Sequence, residues 1–361
     1  MADEIFTSEA SPNIAFIKYW GKRPTGQNIP NNSSISMTLD QSVLSTRTSA
    51  LLSDRLDEDK LFINGEAQKI IGPEATEKSK YISKVIDYLR GLAKTDSRLL
   101  IVSKNSFPTG AGIASSASGA VALVEALVPA LGLDLDQAAR SDVARLISGS
   151  ACRSSFGGIV KWDAGSSSDG SDSHARQVFD EHHWPDLIDL IAIVNESTKK
   201  VSSSEGHALT VKTSVLYKER PAFAEEGVKR VIEALSKRDL NQLTESIMRD
   251  SNNMHATMMD TWPPIMYLTD TSKDVIYAVH ELNREKGRNI AGYTFDAGPN
   301  PHIITTEQYK TEVLDALSKV SGIARTIVSH AGSGPRLLRE EDALIDLKTL
   351  GPTNGLRKTR I

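Results

Sequence analysis

The sequence predicts an α+β fold of two domains, on three observations. The chain has 361 residues, and single hydrophobic cores stop growing beyond roughly 250–300 residues. Its strand-like and helix-like segments do not strictly alternate, which disfavours a doubly wound sheet. A run of small residues over 107–119 leads into a segment apolar on nearly every face, the pattern of a helix buried in a core. The expected division is an N-terminal domain over 1–186, a C-terminal domain over 187–350 and a mobile tail over 351–361.

Each element has its own signal. Segments 13–19 and 34–39 read as strands, separated by residues rich in Gly, Pro and Asn. Leu61-Phe-Ile-Asn-Gly65 reads as a strand running into a turn. Between 76 and 94, Ile82, Val85, Ile86, Leu89 and Leu92 recur at helical spacing and predict the first long helix. A short strand follows at 99–103, then the buried helix at 119–131, whose one charge is Glu125, and an amphipathic helix at 136–147. A strand at 156–162 precedes the polar loop 165–173. Segment 187–194, apolar except for Asp189, reads as a buried strand. In the second half, helices are expected near 214–236, 240–255 and 272–284, and strands near 290–295, 302–305 and 326–329.

Composition narrows the class. Apolar residues make up 39% and charged residues 24%, which excludes a collagen-like, disordered or coiled-coil chain. Lys and Arg number 42 against 46 Asp and Glu, for a net charge of -4, and that balance argues against a broad nucleic-acid surface. The single cysteine, Cys152, rules out an internal disulfide or a multi-cysteine metal site. The apolar run near 120–131 is too short to span a bilayer, and the first residues show no secretory signal. The expectation is a soluble, cytoplasmic, globular protein with neither nucleic acid nor membrane as partner.

Four segments carry candidate chemistry. In Phe107-Pro-Thr-Gly-Ala-Gly-Ile-Ala-Ser-Ser-Ala-Ser-Gly119, the glycines permit close backbone approach and the serines supply hydroxyls. The following helix offers free N–H donors, and together these make a phosphate cradle; an ordinary helix-capping turn is the alternative. In Ser148-Gly-Ser-Ala-Cys-Arg-Ser-Ser-Phe-Gly-Gly158, small residues surround one arginine able to grip a carboxylate or phosphate through two bonds. Cys152, among Ser and Ala, reads as a small buried filler. Lys18, Lys22 and Arg23, beside Tyr19 and Trp20, form a compact positive site for an anion, or else a solvated strand end. Asp296, in Tyr293-Thr-Phe-Asp-Ala-Gly-Pro-Asn-Pro301, sits where a strand meets a turn; it can orient or deprotonate a hydroxyl or simply shape that turn. The eight histidines show no zinc-helix spacing, so no protein-built metal site is expected, and a magnesium ion would arrive with a nucleotide.

Taken in order, these segments resemble the diphosphomevalonate decarboxylase family of the GHMP kinase superfamily, from Asn13 to about Lys348. The marks are Asn13-Ile-Ala-Phe-Ile-Lys-Tyr-Trp-Gly-Lys-Arg23, the 107–119 and Ser148–Ser154 motifs, Asp250-Ser-Asn-Asn-Met-His-Ala-Thr257 and Tyr293–Asn300. The resemblance implies a GHMP kinase fold, with a ribosomal protein S5 domain 2-like N-terminal domain and a ferredoxin-like C-terminal domain around a shared cleft. It implies ATP-dependent decarboxylation of mevalonate 5-diphosphate to isopentenyl diphosphate, with ATP and Mg2+ as cofactors and a homodimer as the assembly. By resemblance, Asp296, Lys18 and Arg153 are catalytic. Tyr19, Lys22, Ser148, Gly149, Ser150, Arg153 and His207 bind the substrate. Asn105, Pro108, Gly110, Ala111, Gly112, Ser115 and Ser116 surround the ATP phosphates, with Ser115 a candidate magnesium contact. Ser204 and His207 depart from the family pattern, where Arg and Met are frequent. That leaves open a decarboxylase of 5-phosphomevalonate giving isopentenyl phosphate, or a 3-hydroxyl kinase without decarboxylation.

Overall fold

The computed structural model describes residues 4–107, 115–194 and 201–353. The N-terminal half contains strands β1 (Ile5–Ala10), β2 (Asn13–Ile17), β3 (Ser34–Thr38), β4 (Thr46–Ser53), β5 (Lys60–Ile63) and β6 (Glu66–Gln68). Then come helix α1 (Glu77–Ala93), β7 (Arg98–Asn105), α2 (Ser115–Ala130), α3 (Gln137–Ile147), the short α4 (Ala151–Ser154), β8 (Ile159–Trp162) and β9 (Ala175–Phe179). The second half runs β10 (Leu187–Val194), α5 (Ser203–Thr213), α6 (Arg220–Lys237), α7 (Leu240–Met259), α8 (Asp270–Lys286), β11 (Gly292–Phe295), β12 (Pro301–Thr306), α9 (Lys310–Ser318) and β13 (Ile323–His330). A final short strand, β14 (Arg336–Leu337), returns to pair with β1.

These elements form three main sheets. The first has the order β14-β1-β4-β7-β5-β6, and the second β2-β3-β8-β9. The third, β11-β12-β10-β13, is antiparallel throughout. With helices between β10 and β11 and between β12 and β13, this is the split βαβ arrangement expected of the C-terminal half. Helix α2 fills the first core. Ala120, Val121, Val124 and Leu127 pack with Ile82 and Leu89 of α1 and Val143 of α3. Its one charge is not left bare, because Arg140 and Gln137 both donate to the Glu125 carboxylate.

The second core joins the halves. Ile14, Phe16, Ile17 and Met37 of the second sheet pack against Ala224 and Val228 of α6, Leu243 and Ile247 of α7, and Leu187, Ile191 and Ile304 of the third sheet. Burying each of the larger side chains here contributes roughly 1.5–3 kcal/mol, so α6 and α7 hold the end of β2 rigidly against the third sheet. That packing fixes the site.

Several elements differ from the sequence reading, each for a local reason. Strand β2 stops at Ile17 rather than Tyr19, because the Lys18 N–H donates to the Asp250 carboxylate instead of a ladder partner. The helix expected at 214–236 is divided. Ser214 closes α5, and α6 starts at Arg220 with Pro221 in its first turn, where the missing N–H costs nothing. Strand β8 begins at Ile159, after Gly157 and Gly158. A Cβ on Gly157 would lie 2.5 Å from the Gly334 backbone, so this crossing requires glycine. Of the expected tail, Gly351–Pro352 pairs with Ile345–Asp346, and 354–361 lies outside the described residues.

Candidate active site

The end of β2 is the centre. Lys18 is buried, and its Nζ donates to Asp296 Oδ1 at 2.6 Å across 278 positions of sequence. Its backbone is clamped as well. The N–H donates to Asp250 Oδ2 at 2.7 Å, while the carbonyl accepts from Asn32 Nδ2 at 3.0 Å and from an Arg220 Nη at 3.2 Å. Arg220 and Asp250 are themselves wholly buried and paired at 2.6 Å. One ion pair thus holds the backbone of one lysine, and the lysine meets the carboxylate that ends β11.

Asp296 keeps 31% of its side chain exposed beside the almost enclosed Lys18. Burial works to raise its carboxyl, but the Lys18 charge, then His302 and Arg153, outweigh it and hold the group below the usual aspartate range. A carboxylate tuned this way stays ionised and can accept a proton from, or orient, a hydroxyl.

Arg153 lies in α4. Its Nε and one Nη donate to Ser36 Oγ and Ser34 Oγ at 3.0 and 2.6 Å, and the other Nη to Asn13 Oδ1 at 3.3 Å. The guanidinium also sits 5.9 Å from the Trp162 ring. None of these partners is an acid, so the buried charge remains available to an anion. Cys152 beside it is buried, and burial pushes its thiol up to about 12. That suits a filler, not a nucleophile.

A second cluster forms around Tyr19. Its ring lies 4.4 Å from that of His207 and 4.8 Å from that of Trp162. A Cβ on Gly149 would come within 2.6 Å of the Tyr19 ring, so glycine is required there for the approach of 148–150. His207 Nδ1 accepts the Gly21 N–H at 2.9 Å, and burial, helped by Lys22, lowers its ring to about 3, so the ring is neutral. Lys22 Nζ donates to Asn28 Oδ1 at 3.2 Å and to Ser204 Oγ at 2.9 Å. Partial burial lowers this ammonium too. Arg23 behaves differently from its neighbours: it donates to the carbonyls of Ala164, Gly165 and Ser167 and secures that loop.

Of the expected phosphate loop, Pro108, Gly110, Ala111 and Gly112 lie outside the described residues. Ser115 and Ser116 open α2, whose first turn holds no acidic residue, and the Ser148 hydroxyl donates to Ser116 Oγ at 3.3 Å. Asn105 ends β7 and accepts from Thr46 Oγ1, which also meets Ser118 Oγ at 2.7 Å. A long helix N-terminus with several hydroxyls and no carboxylate is a donor set that fits a phosphate group and the hard cation it carries. Among the described residues, no group of three His, Cys, Asp or Glu is placed to hold a metal ion, and no helix is long and apolar enough to cross a membrane.

Asp250 and Arg220 were given no role on sequence grounds. Asp250 opens the Asp250–Thr257 segment, whereas Arg220 carries no local signal, since its bond to Lys18 spans 202 positions. Asn13, Ser34 and Ser36, which hold Arg153, are likewise part of quoted segments without an assigned role.

Residues 10–175 match the diphosphomevalonate decarboxylase-like N-terminal domain, and residues 189–336 the mevalonate 5-diphosphate decarboxylase C-terminal domain. The chain is 38% identical to diphosphomevalonate decarboxylase of Schizosaccharomyces pombe, covering 94% of this chain and 95% of that protein. To the Saccharomyces cerevisiae protein of the same name it is 39% identical, covering 94% and 96%. The solved mevalonate diphosphate decarboxylase from Trypanosoma brucei superposes with a TM-score of 0.86 at 33% identity, covering 95% of this chain and all of that one. A structure described as MDDEF in complex with MVAPP, AMPPCP and magnesium gives 0.83 at 33%, covering 94% and 100%.

Proposed function

This chain belongs to the diphosphomevalonate decarboxylase family, and from that premise we propose how its residues divide the work. The reaction is the ATP-dependent decarboxylation of mevalonate 5-diphosphate, releasing ADP, phosphate and carbon dioxide. The observation that carries the assignment is the Lys18–Asp296 pair at 2.6 Å, the lysine enclosed and the aspartate partly open.

A tertiary alcohol is too weak an acid to lose its proton unaided. Asp296, held ionised, accepts the proton of the 3-hydroxyl as that oxygen is phosphorylated. ATP with magnesium supplies the phosphoryl group, which turns the hydroxyl into a leaving group. Lys18 faces the same carboxylate and offsets charge that builds as phosphate departs and the carboxylate fragments. Arg153 orients the substrate carboxylate with its two-pronged guanidinium. Tyr19, Lys22, Ser148, Gly149, Ser150 and His207 form the wall for the 5-diphosphate, and Ser115 and Ser116, with Asn105 and the 108–112 segment, form the nucleotide side. Positioning and charge neutralisation supply most of the acceleration in such transfers. We further take the chain to divide into functional domains at 186/187 and to work as a cytoplasmic homodimer.

Asp296→Asn tests this reading. It removes the proton acceptor while keeping shape, so turnover should fall by about 10²–10⁴, with ATP-analogue affinity within about threefold of wild type. Near-normal turnover would remove Asp296 from the role.

A further inference from the structure

Behind Asp296 lies a buried histidine–aspartate pair with no part in the steps proposed for the reaction. His302 Nδ1 and Asp189 Oδ2 are 2.6 Å apart, the aspartate wholly enclosed and the histidine 2% exposed. The second oxygen of Asp189 has no protein partner, nor does the buried hydroxyl of Thr294 nearby.

The register of the third sheet shows where this pair sits. In β11 and β12, Thr294 faces His302 and Phe295 faces Pro301. Phe295 and Ile303 point into the core with α8 and α9, so Thr294 and His302 point to the opposite face. Asp296, two residues beyond Thr294, meets Lys18 of the second sheet on that face. On the other side of β12, Ile191 of β10 faces His302, which puts Asp189 on one diagonal of the histidine. Asp296 lies along the opposite diagonal, and diagonal neighbours in a sheet are within reach of a long side chain. The ring therefore stands between the two carboxylates.

We propose that His302, anchored by Asp189, is a positioning residue for phosphoryl transfer: its positive charge holds Asp296 as a carboxylate ready to take the hydroxyl proton. A wholly buried carboxylate such as Asp189 calls for a paired cation, and His302 is bonded to it. An apolar pair of the same volume would hold the sheet at least as well; a charged pair kept beside the reacting carboxylate serves the site. The downward displacement of the Asp296 carboxyl has His302 among its causes, after Lys18.

Lys18 from the end of β2 and Arg153 from α4 also act on this region, as do His255 of α7 and the Arg220–Asp250 pair of α6 and α7. The first two favour the Asp296 carboxylate as His302 does. His255 is itself enclosed and lowered to about 4, chiefly by burial and then by Lys18. The inner face of β13 offers Ser329, opposite Asp189, which does not titrate.

The inference rests on the role given to Asp296, and its test separates the two. Turnover of mevalonate 5-diphosphate by the full-length protein is followed from pH 3 to 8 for wild type, His302→Gln, the double variant Asp189→Asn/His302→Gln, and Asp296→Asn. The double variant replaces the ion pair with two hydrogen-bonding amides, so it reports even where the single variant, with Asp189 left unpaired, does not fold. The acid limb of kcat/KM is expected to move up by about 0.5–1 pH unit in the double variant and at least as far in the single one. The KM for substrate on the plateau should change less than the limb does. An acid limb left at its wild-type position in the folded variants overturns the proposal for His302. If Asp296→Asn remains active, the assignment of Asp296 itself fails instead.

Discussion

Arg220→Met is the sharpest perturbation of the scaffold. The arginine is fully buried and donates to both oxygens of Asp250 at 2.6 and 3.1 Å, to Asn253 Oδ1 at 3.0 Å and to the Lys18 carbonyl at 3.2 Å. Methionine fills most of the volume but leaves Asp250 a buried, uncompensated charge, which costs about 3–5 kcal/mol. With an unfolding entropy of about 2.1 cal/mol/K per residue, that lowers Tm by about 4–7 °C for a chain of this length. Turnover should fall by about 10²-fold, because the Lys18 backbone loses its clamp and a displacement near 1 Å is that damaging. Arg220→Met/Asp250→Leu separates stability from catalysis. Removing both charges leaves the Lys18 N–H unpaired, about 1–3 kcal/mol, and Asn253 Oδ1 without its Arg220 donor, so stability recovers in part while turnover stays low. Calorimetry and steady-state turnover on the same samples give both readouts. A single-variant cost under about 1 kcal/mol, or a double variant with restored turnover, would refute the view that this pair positions Lys18.

Arg153→Lys keeps the charge but loses the fork that meets Ser34, Ser36 and Asn13. We expect kcat/KM for the acid substrate to drop about 100-fold, with the KM for ATP little changed; equal losses for both would place Arg153 elsewhere. The Lys18–Asp296 pair also makes stability pH-dependent. Asp296 has a folded carboxyl depressed below its unfolded value, so its contribution is present above the ordinary carboxylate range and is lost as pH falls through the folded value. Urea unfolding should show wild type more stable than Asp296→Asn at pH 7, with the gap narrowing toward pH 3.5; a gap that widens on acidification has the wrong sign.

Much of the candidate site was legible because its chemistry is local. Lys18, Arg153, Asp296 and the serines that open α2 all stand in short runs whose residue types announce an anion or a hydroxyl. Helices α6 and α7, expected near 214–236 and 240–255, and the buried strand at 187–194 were visible from their apolar residues, although the first helix starts later, at Arg220. Strands β1 and β4 were not, because both turn hydroxyls inward. Thr7 meets Ser49, Thr48 meets Ser103, and Thr46 meets Ser118, so the alternation of apolar and polar residues that marks a half-buried strand is missing. Helix α5 lacks a clear apolar stripe, yet its start was written in Ser202-Ser-Ser-Glu205, where the Ser202 hydroxyl accepts the Glu205 N–H. The clamp on Lys18 and the Asp189–His302 pair were illegible for another reason. Both join residues more than a hundred positions apart, and only the packing of α6, α7 and the third sheet against β2 brings them together.

Product stoichiometry with purified protein, ATP and magnesium tests the central claim most directly. With mevalonate 5-diphosphate, one carbon dioxide and one phosphate should appear for each ADP, and with 5-phosphomevalonate the kcat/KM should be far lower. ADP formed without carbon dioxide, or efficient turnover of the monophosphate in preference to the diphosphate, would contradict the account.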